Sequence, residues 1–181
     1  NQMFQYAAAM ALADRHNAQL LLDTSGFEAY PLRRFELGEL NIRAEIASPR
    51  HLASVRPQQF KSRLGRILSH HVSRLRRPGK TRIFNERSFS YDSNFFEQSP
   101  PIYLNGYWQS ERYFLGCAGA IRQDFTLKLP LDSACQKVLE CIKQNTSVSL
   151  HVRRGDYVTD TTTAQFHGTC SLAYYQAAVD H

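Results

Sequence analysis

The residues best suited to chemistry in this 181-residue chain lie between Ser147 and Tyr157, which reads Ser-Val-Ser-Leu-His-Val-Arg-Arg-Gly-Asp-Tyr. The adjacent Arg153 and Arg154 suit a phosphate or diphosphate, because a guanidinium donates paired hydrogen bonds and keeps its charge. Asp156 could orient one guanidinium or cap the next turn. A surface arginine pair bound to neighbouring carboxylates would have the same spacing, so both interpretations stay open here.

The segment that positions the arginines is predicted to be a strand from Ser147 to Arg153. Because side chains alternate across a strand, one face would be apolar and the other polar. The arginines would then lie at the carboxyl end of the strand, the edge at which open α/β sheets bind ligands. The core-facing residues in this prediction are Val148, Leu150 and Val152, and the polar ones are Ser149, His151 and Arg153.

Metal ligation is not indicated by the cysteine and histidine spacing. The cysteines form no C-x-x-C pair and have no histidine at zinc spacing, so we expect buried free thiols at Cys117, Cys135, Cys141 and Cys170. His151 and His167 are candidate general bases, because imidazole titrates near neutral pH. An orienting role for His151 and a turn role for His167 fit equally well, and the base stays unassigned.

The elements follow an α/β order. Apolar periodicity predicts a helix over residues 2–16, followed directly by a strand at 18–23; these form half of a βαβ unit whose first strand would precede the helix. We therefore expect an α/β fold with a mainly parallel, Rossmann-type sheet flanked by helices. The other predicted elements are a helix starting at Ser48-Pro49, a strand at 102–105, and helices from Ser110 through Ile121, over 132–143 and after Ser171.

The formal net charge of +6 arises from one segment. Residues 46–85 contain ten Lys or Arg and no Asp or Glu, which leaves 12 basic and 16 acidic residues elsewhere. Within it, residues 61–82 are predicted to form an amphipathic helix. A solvated helix face explains this pattern, and so does docking on an anionic membrane surface. Nucleic-acid binding is not expected, because aromatic residues are not interleaved with the charges. The membrane contacts would be Arg63, Arg66, Arg74 and Arg77.

Several broad classes of protein are excluded by composition. No apolar stretch approaches the roughly 20 residues of a bilayer span. A content of 43% hydrophobic and 12% aromatic residues does not fit a disordered tail. The first residues show no signal-peptide pattern, so the expected location is cytoplasmic, peripheral on the inner face of the membrane.

The stretch from His151 to Asp156 resembles the donor-site motif His-x-Arg-Arg-x-Asp of the α-1,2-fucosyltransferases, glycosyltransferase family 11. The opening Asn-Gln-Met-Phe-Gln-Tyr-Ala is similar to the continuation of that family's Gly-Gly-Leu-Gly-Asn-Gln-Met-Phe-Gln-Tyr-Ala start. Ordered matches over most of the chain are far more specific than one motif. Three more segments resemble bacterial members in the same order, namely Arg33 to Leu37, Gly106 to Glu111 and Phe166 through Tyr175.

The resemblance implies a two-domain GT-B-type fold and an inverting transfer of L-fucose from GDP-β-L-fucose to the 2-hydroxyl of a terminal galactose, in glycan or O-antigen synthesis. It also implies that no cofactor or metal is needed. Fixed guanidinium groups would stabilise the charge on the departing GDP with little reorganisation. The implied residues are Arg153, Arg154, Asn1 and Gln2 for the donor, His151 and Asp156 for catalysis, and His167 and Tyr157 on the acceptor side.

The resemblance further implies that the chain is a fragment. Residues 1–146 would be the N-terminal acceptor-side domain without its first strand, and residues 147–181 the beginning of a truncated GDP-fucose-binding domain. The family's later donor-domain motifs are not in this sequence, so the chain alone is expected to be inactive. The alternative from another class is a non-catalytic basic module that docks on anionic membrane or nucleic acid through residues 61–82.

Overall fold

The computed structural model describes residues 1–28, 34–55, 82–152, 155, 158, 165 and 168–180. The chain divides into two units, Asn1–Pro130 and Leu131–His181. The predicted domain boundary between residues 146 and 147 stays a prediction. Within the described ranges, no helix combines the length and apolar character that a membrane span requires.

The first unit is organised around helix α1, Gln2–Arg15, which confirms the predicted helix over 2–16. Its alanines favour helix and let neighbouring elements approach closely on both sides. The helix therefore packs into two apolar clusters at once. One cluster contains Tyr6, Ala7, Met10, Ala13, Leu37 and Ile121, and the other contains Ala8, Leu12, Phe95, Trp108 and Tyr113.

The carboxyl end of α1 is closed by a turn at Asn17. This residue has a left-handed backbone with φ of 48°, a conformation that asparagine tolerates better than most residues. The amide of Ala18 donates to the carbonyl of Ala13 at 2.9 Å, and the amide of Asn17 donates to that of Asp14 at 3.2 Å. The two bonds form a Schellman motif that directs the chain into the first strand.

Within the described residues, the strands form two separate parallel pairs, whereas the sequence predicted one sheet. Strand β1 (Leu21–Leu22) pairs with β2 (Glu45–Ile46), and β3 (Arg82–Asn85) pairs with β4 (Ile102–Asn105). The strands predicted at 18–23 and 102–105 are confirmed, the first in shortened form. Isolated strand pairs of this size have little stability alone, so packing against the clusters around α1 holds them.

Three of the predicted helices are confirmed, and two of them begin at the predicted caps, Ser48 and Ser171. Helix α2, Pro49–Val55, follows Ser48, whose Oγ accepts from the amide of His51 at 3.3 Å. The other two helices lie in the second unit. Helix α4, Ser133–Gln144, is capped by Asp132, and helix α5, Leu172–Asp180, follows Ser171, whose Oγ accepts from the amide of Tyr174.

The predicted helix from Ser110 through Ile121 is wrong in its first part. Two short 3₁₀ turns, Glu111–Tyr113 and Leu115–Cys117, precede helix α3, Ala118–Asp124. Phe114 interrupts the helical backbone with φ of −135°. The interruption places Tyr113 in the core, where its hydroxyl accepts from the amide of Asp92 at 2.8 Å. Tertiary packing therefore overrides the local helical pattern.

The predicted strand from Ser147 to Arg153 is wrong over its described part, because residues 147–152 have no regular secondary structure. The residues expected to face the core, Val148, Leu150 and Val152, are exposed. Alternation is insufficient on its own, since a strand also needs a neighbour to pair its backbone groups.

The basic segment lies largely outside the described residues, and with it Arg63, Arg66, Arg74 and Arg77. Its predicted helix is wrong at the carboxyl end, because Arg82 begins β3 and pairs with Ile102. A residue in a parallel ladder has extended backbone and cannot continue a helix.

The four cysteines are free, as predicted, but the prediction of burial is wrong for Cys135, Cys141 and Cys170, which are exposed. Cys117 is half-buried, and burial raises the pKa of its thiol. The error at Cys135 has a physical reason: it shares the apolar side of α4 with Val138 and Ile142, which are also exposed.

Candidate functional site

The amino-terminal end of α1 lies beside the loop that follows β4. The side chain of Gln5 donates from Nε2 to the carbonyl of Gly106 at 2.8 Å, and the side-chain Nε2 of Gln109 donates to Oδ1 of Asn1. Asn1 is the N-cap residue, but its side chain does not accept from the first helical turn. Gln5 and Gln109 thus connect the start of α1 to the loop after β4. The Asn1 side chain leaves the backbone N–H groups of the first helical turn uncapped, and these are the groups with which helices bind anions.

Gln2 connects α1 to the segment that precedes the 3₁₀ turn at Leu37. Its Nε2 donates to the carbonyl of Arg34 at 2.6 Å, and its Oε1 accepts from the amide of Glu36 at 3.0 Å. Both ends of the Gln2 amide are therefore used to position this segment. The prediction that Asn1 and Gln2 contact a donor stays a prediction.

The loop after β4 is fixed by one carboxylate. Glu86 accepts from the amide of Tyr107 at 2.7 Å and from the amide of Trp108 at 3.0 Å, while Trp108 has a left-handed backbone with φ of 55°. Only glycine fits at Gly106, since an added Cβ would lie 2.4 Å from the Cβ of Glu86. The Trp108 ring, 1% exposed, stacks on Phe84 with centroids 5.5 Å apart.

This arrangement presents Tyr107 at the carboxyl end of a parallel strand. Its side chain is 47% exposed, beside a tryptophan that is buried. The carboxyl end of a parallel strand is the usual ligand-binding edge, and tyrosine offers both an apolar ring and a hydroxyl. Sequence reasoning missed Tyr107 and Glu86. The signal that could have found Tyr107 was the Gly-Tyr-Trp triplet directly after a predicted strand.

A buried polar network lies on the other side of α1. Asp124, 4% exposed, accepts from the Tyr6 hydroxyl at 2.8 Å and from Nε of Arg43 at 2.8 Å. The Tyr6 hydroxyl accepts in turn from the backbone amide of Arg43 at 3.0 Å. Arg43 also forms an ion pair with Asp14 at 3.0 Å. These bonds give both oxygens of the buried Asp124 carboxylate hydrogen-bond partners. Such partners offset the free-energy cost of removing a charge from water.

The network changes the titration of two of its members. Burial raises the pKa of Tyr6 to about 12, and the Asp124 carboxylate adds to the rise, while the bond from the backbone of Arg43 opposes it. Hydrogen bonds to Asp124 and Asp14 raise the pKa of Arg43 above its usual value. No local motif predicts this network, because its partners are 29 to 118 residues apart in sequence.

In the second unit, the structure places His151 in an exposed, irregular segment next to Val152. The remaining predicted site residues of this unit lie outside the described residues, so their roles stay predictions. They are Arg153, Arg154, Asp156, Tyr157 and His167.

Metal ligands are not grouped in the part of the chain that the structure describes, where no three His, Cys, Asp or Glu side chains are arranged to hold an ion. Independence of metal concerns the reaction itself and stays a prediction.

Comparisons with known proteins agree with these sequence segments. The model of the family described as glycosyl transferase family 11 matches residues 80–181, more than half of the chain. An Escherichia coli protein named alpha-1,2-colitosyltransferase is 30% identical over 177 residues, covering 97% of this chain and 58% of that protein. The E. coli O-antigen biosynthesis glycosyltransferase WbnK is 31% identical over 203 residues, covering 99% of this chain and 63% of its own length.

The chain thus spans about three fifths of the length of these curated relatives. No solved structure matches it significantly. The family match includes the loop after β4 and the stretch from His151 to Asp156. On this match, the chain belongs to glycosyl transferase family 11.

Proposed function

We propose that the parent protein is an inverting α-1,2-fucosyltransferase of O-antigen synthesis, which moves L-fucose from GDP-β-L-fucose to the 2-hydroxyl of a terminal galactose. The observation that carries the proposal is the His-Val-Arg-Arg-Gly-Asp stretch at 151–156, inside the family-matched residues. Relatives named for α-1,2 transfer and for O-antigen biosynthesis support the same reaction class.

In this reaction the bond between the fucose anomeric carbon and the β-phosphate oxygen breaks, and the galactose 2-oxygen forms the new bond from the opposite face. Negative charge develops on GDP as it leaves. Arg153 and Arg154 would bind the diphosphate and stabilise that charge without a divalent ion. The acceptor hydroxyl passes its proton to a base, for which His151 and His167 are the candidates.

The remaining predicted residues have supporting roles in this proposal. Asp156 would orient an arginine, and Tyr157 would lie on the acceptor side with His167. Asn1 and Gln2 would contact the donor at the start of α1, where backbone N–H groups favour an anion.

We also propose that the 181 residues form part of a two-domain GT-B enzyme, with the acceptor-side domain at 1–146 and the donor domain beginning at 147. The coverage of 58% and 63% of the relatives supports a parent protein longer than this chain, and the division at residue 147 rests on the resemblance of the 151–156 motif. The expected result is that the chain alone transfers no fucose, because it would lack most of the donor domain. GDP-fucose-dependent fucosylation of a galactoside by the isolated chain would contradict the fragment proposal.

The catalytic proposal is tested in the full-length parent enzyme. Arg154→Ala should lower kcat/KM for GDP-fucose by at least about 100-fold, because a cation that meets the leaving-group charge is lost. Arg154→Lys should recover part of this loss, since it restores charge but not the paired geometry. Arg122→Ala, at an exposed position on α3, is the matched control.

Unchanged transfer by the Arg154→Ala enzyme would exclude its role at the donor. Activity should also persist after dialysis against EDTA, and a loss that Mg²⁺ restores would overturn the metal-free part of the proposal.

Colitose is the second candidate donor sugar, favoured by the 30% identity to a protein named for its transfer. Colitose is fucose without the 3-hydroxyl, so the two donors differ by one hydrogen-bonding group. A site that binds the 3-hydroxyl rejects a donor lacking it, because the site's polar groups are left unpaired. Comparing kcat/KM for GDP-fucose and GDP-colitose in the parent enzyme decides between them, and a preference for GDP-colitose would replace fucose in the proposal.

A cytoplasmic enzyme that is peripheral at the inner membrane face completes the proposal. The basic residues Arg63, Arg66, Arg74 and Arg77 would contact anionic lipid close to lipid-linked acceptors. Replacing the four with Gln should reduce sedimentation of the parent enzyme with phosphatidylglycerol vesicles, and neutral vesicles are the control. Equal sedimentation of both enzymes would assign the charges to an ordinary solvated surface.

A further inference from the structure

Tyr107 carries an exposed aromatic ring on a loop whose backbone is fixed at several points. The amides of Tyr107 and Trp108 both donate to the Glu86 carboxylate, at 2.7 and 3.0 Å. Further along the loop, the amide of Ser110 donates to the carbonyl of Trp108 at 2.8 Å and closes a tight turn at Gln109. The backbone at Tyr107 is therefore held in place, while its side chain is 47% exposed.

The same loop contains a strained residue. A left-handed backbone, with φ of 55° at Trp108, is unfavourable for a bulky aromatic side chain. Burial of the Trp108 ring and its stacking on Phe84 hold the residue in this conformation. Strain of this kind clusters at active sites and at ligand-binding sites. Here it fixes the loop on which Tyr107 lies, which points to a binding role for the Tyr107 ring.

The side chains that connect this loop to α1 are uncharged amides. Gln5 donates from Nε2 to the carbonyl of Gly106, and Nε2 of Gln109 donates to Oδ1 of Asn1. A side-chain amide offers both hydrogen-bond donors and an acceptor, the combination that recognises a hydroxyl group. An aromatic ring beside such amides suits a ligand that has hydroxyl groups around an apolar face.

We propose that Tyr107 binds the terminal pyranose of the acceptor by stacking on the apolar face of the sugar. Galactose has this shape, because several of its ring C–H groups lie together on one face while its hydroxyls lie at the rim. The identity of the ligand rests on the proposed function. In that function the donor is contacted at the start of α1, to which this loop is joined, so a sugar on Tyr107 would lie beside the donor, as transfer requires.

The fixed loop also determines which kinetic constant the ring affects. Tyrosine has only two side-chain torsions and the loop is already ordered, so stacking costs little conformational entropy. The ring does not take part in bond making or breaking, and it holds the acceptor alike before and during transfer. Binding of this uniform kind lowers KM and leaves kcat unchanged.

The test measures initial rates of the full-length parent enzyme with a galactoside acceptor at saturating GDP-fucose. Tyr107→Ala should raise the acceptor KM by at least about tenfold and change kcat by less than about twofold. Tyr107→Phe should retain most of the affinity, since it keeps the aromatic face, whereas Tyr107→Leu should resemble the alanine variant. Phe89→Ala removes an exposed aromatic ring outside this loop and is the matched control.

GDP affinity, measured by calorimetry, should be equal in the wild-type and Tyr107→Ala enzymes. A loss of GDP affinity with an unchanged acceptor KM would place the ring at the nucleotide and overturn the proposal. An unchanged acceptor KM with unchanged GDP affinity, or an equal rise in KM for Phe89→Ala, would overturn it as well.

Failure of the proposed function is recognised separately, because the wild-type parent enzyme would then fucosylate no galactoside. Saturation-transfer NMR with methyl β-galactoside compares binding to the wild-type and Tyr107→Ala enzymes without turnover. Weaker binding to the variant would still support a sugar site at Tyr107, and equal binding to both enzymes would overturn it.

Discussion

The two sides of α1 are stabilised by different means. On one side, Asp124 is buried with its oxygens saturated by Tyr6 and Arg43. On the other side, Trp108 and its aromatic neighbours are packed ring against ring. The polar side depends on particular donors at particular distances, while the aromatic side depends on apolar area and shape. The aromatic side also leads directly to the exposed loop after β4, so its packing both stabilises the chain and positions the candidate site.

The largest effect is expected on the aromatic side. Trp108→Ala should lower the free energy of unfolding by about 4 kcal/mol, because it removes a fully buried ring and leaves a cavity. Urea denaturation of the 181-residue chain measures this change. Trp108→Phe should recover part of the loss, and equal stability of the alanine variant would show that the aromatic cluster contributes little.

Removing the Arg43 guanidinium tests the polar side of α1. Arg43→Ala should cost about 3 kcal/mol, since it leaves the buried Asp124 carboxylate with Tyr6 but without an ion pair. The double variant with Asp124→Asn should be less destabilised than the sum of the single variants, because the uncompensated charge is gone. Additive losses in urea denaturation would mean that the two residues are not coupled.

The loop after β4, which lies on the aromatic side of α1, is tested by replacing Gly106. Gly106→Ala should cost about 2 kcal/mol, because the new methyl group would collide with Glu86 and with the Trp108 ring. Gly119→Ala is the matched control. Nothing lies within 4 Å of its added Cβ, and it lies in α3, so it should stabilise the chain by up to about 1 kcal/mol. Losses of equal size at both positions would rule out crowding at Gly106.

The smallest effect at neutral pH is expected for Tyr6→Phe, about 1 kcal/mol, because Arg43 still satisfies Asp124. The variant is more informative at alkaline pH. Tyrosine in the unfolded chain loses its proton near pH 10, whereas the pKa of Tyr6 is raised to about 12. The native chain therefore holds a proton that the unfolded chain releases, and stability falls as pH rises from about 10 to 12.

Thermal unfolding across this pH range checks the sign. The fall should be shallower in the Tyr6→Phe variant, which lacks the titrating hydroxyl. Parallel curves for the two proteins would show that another group causes the alkaline loss.

Prediction from the sequence succeeded where the signal was local. The helix at 2–16 and the caps at Ser48 and Ser171 each depend on a few neighbouring residues, and the structure confirms them. Prediction from the sequence failed where contacts between residues far apart in the chain determine the local structure. Tyr113 is drawn into the aromatic core and breaks the predicted helix, and an alternating pattern at 147–152 has no strand to pair with in its described surroundings.

The candidate site divides in the same way. The family was found from short motifs, since each motif is contiguous in sequence. Glu86 could not be found, because its role depends on two backbone amides more than 20 residues away. Arg43 and Asp124 are 81 residues apart, and nothing near either residue in the sequence indicates the pair.

The Tyr6 hydroxyl also has a consequence for folding kinetics. It joins residues 37 and 118 positions further along the chain, so each of the two bonds requires its own long loop to close. Contacts of such large sequence separation slow folding, since chain entropy is lost before the bonds compensate for it. A polypeptide released from the ribosome only as far as Thr81 would already contain α1 but not its carboxylate partner, so α1 can reach its final position only after Asp124 has been synthesised.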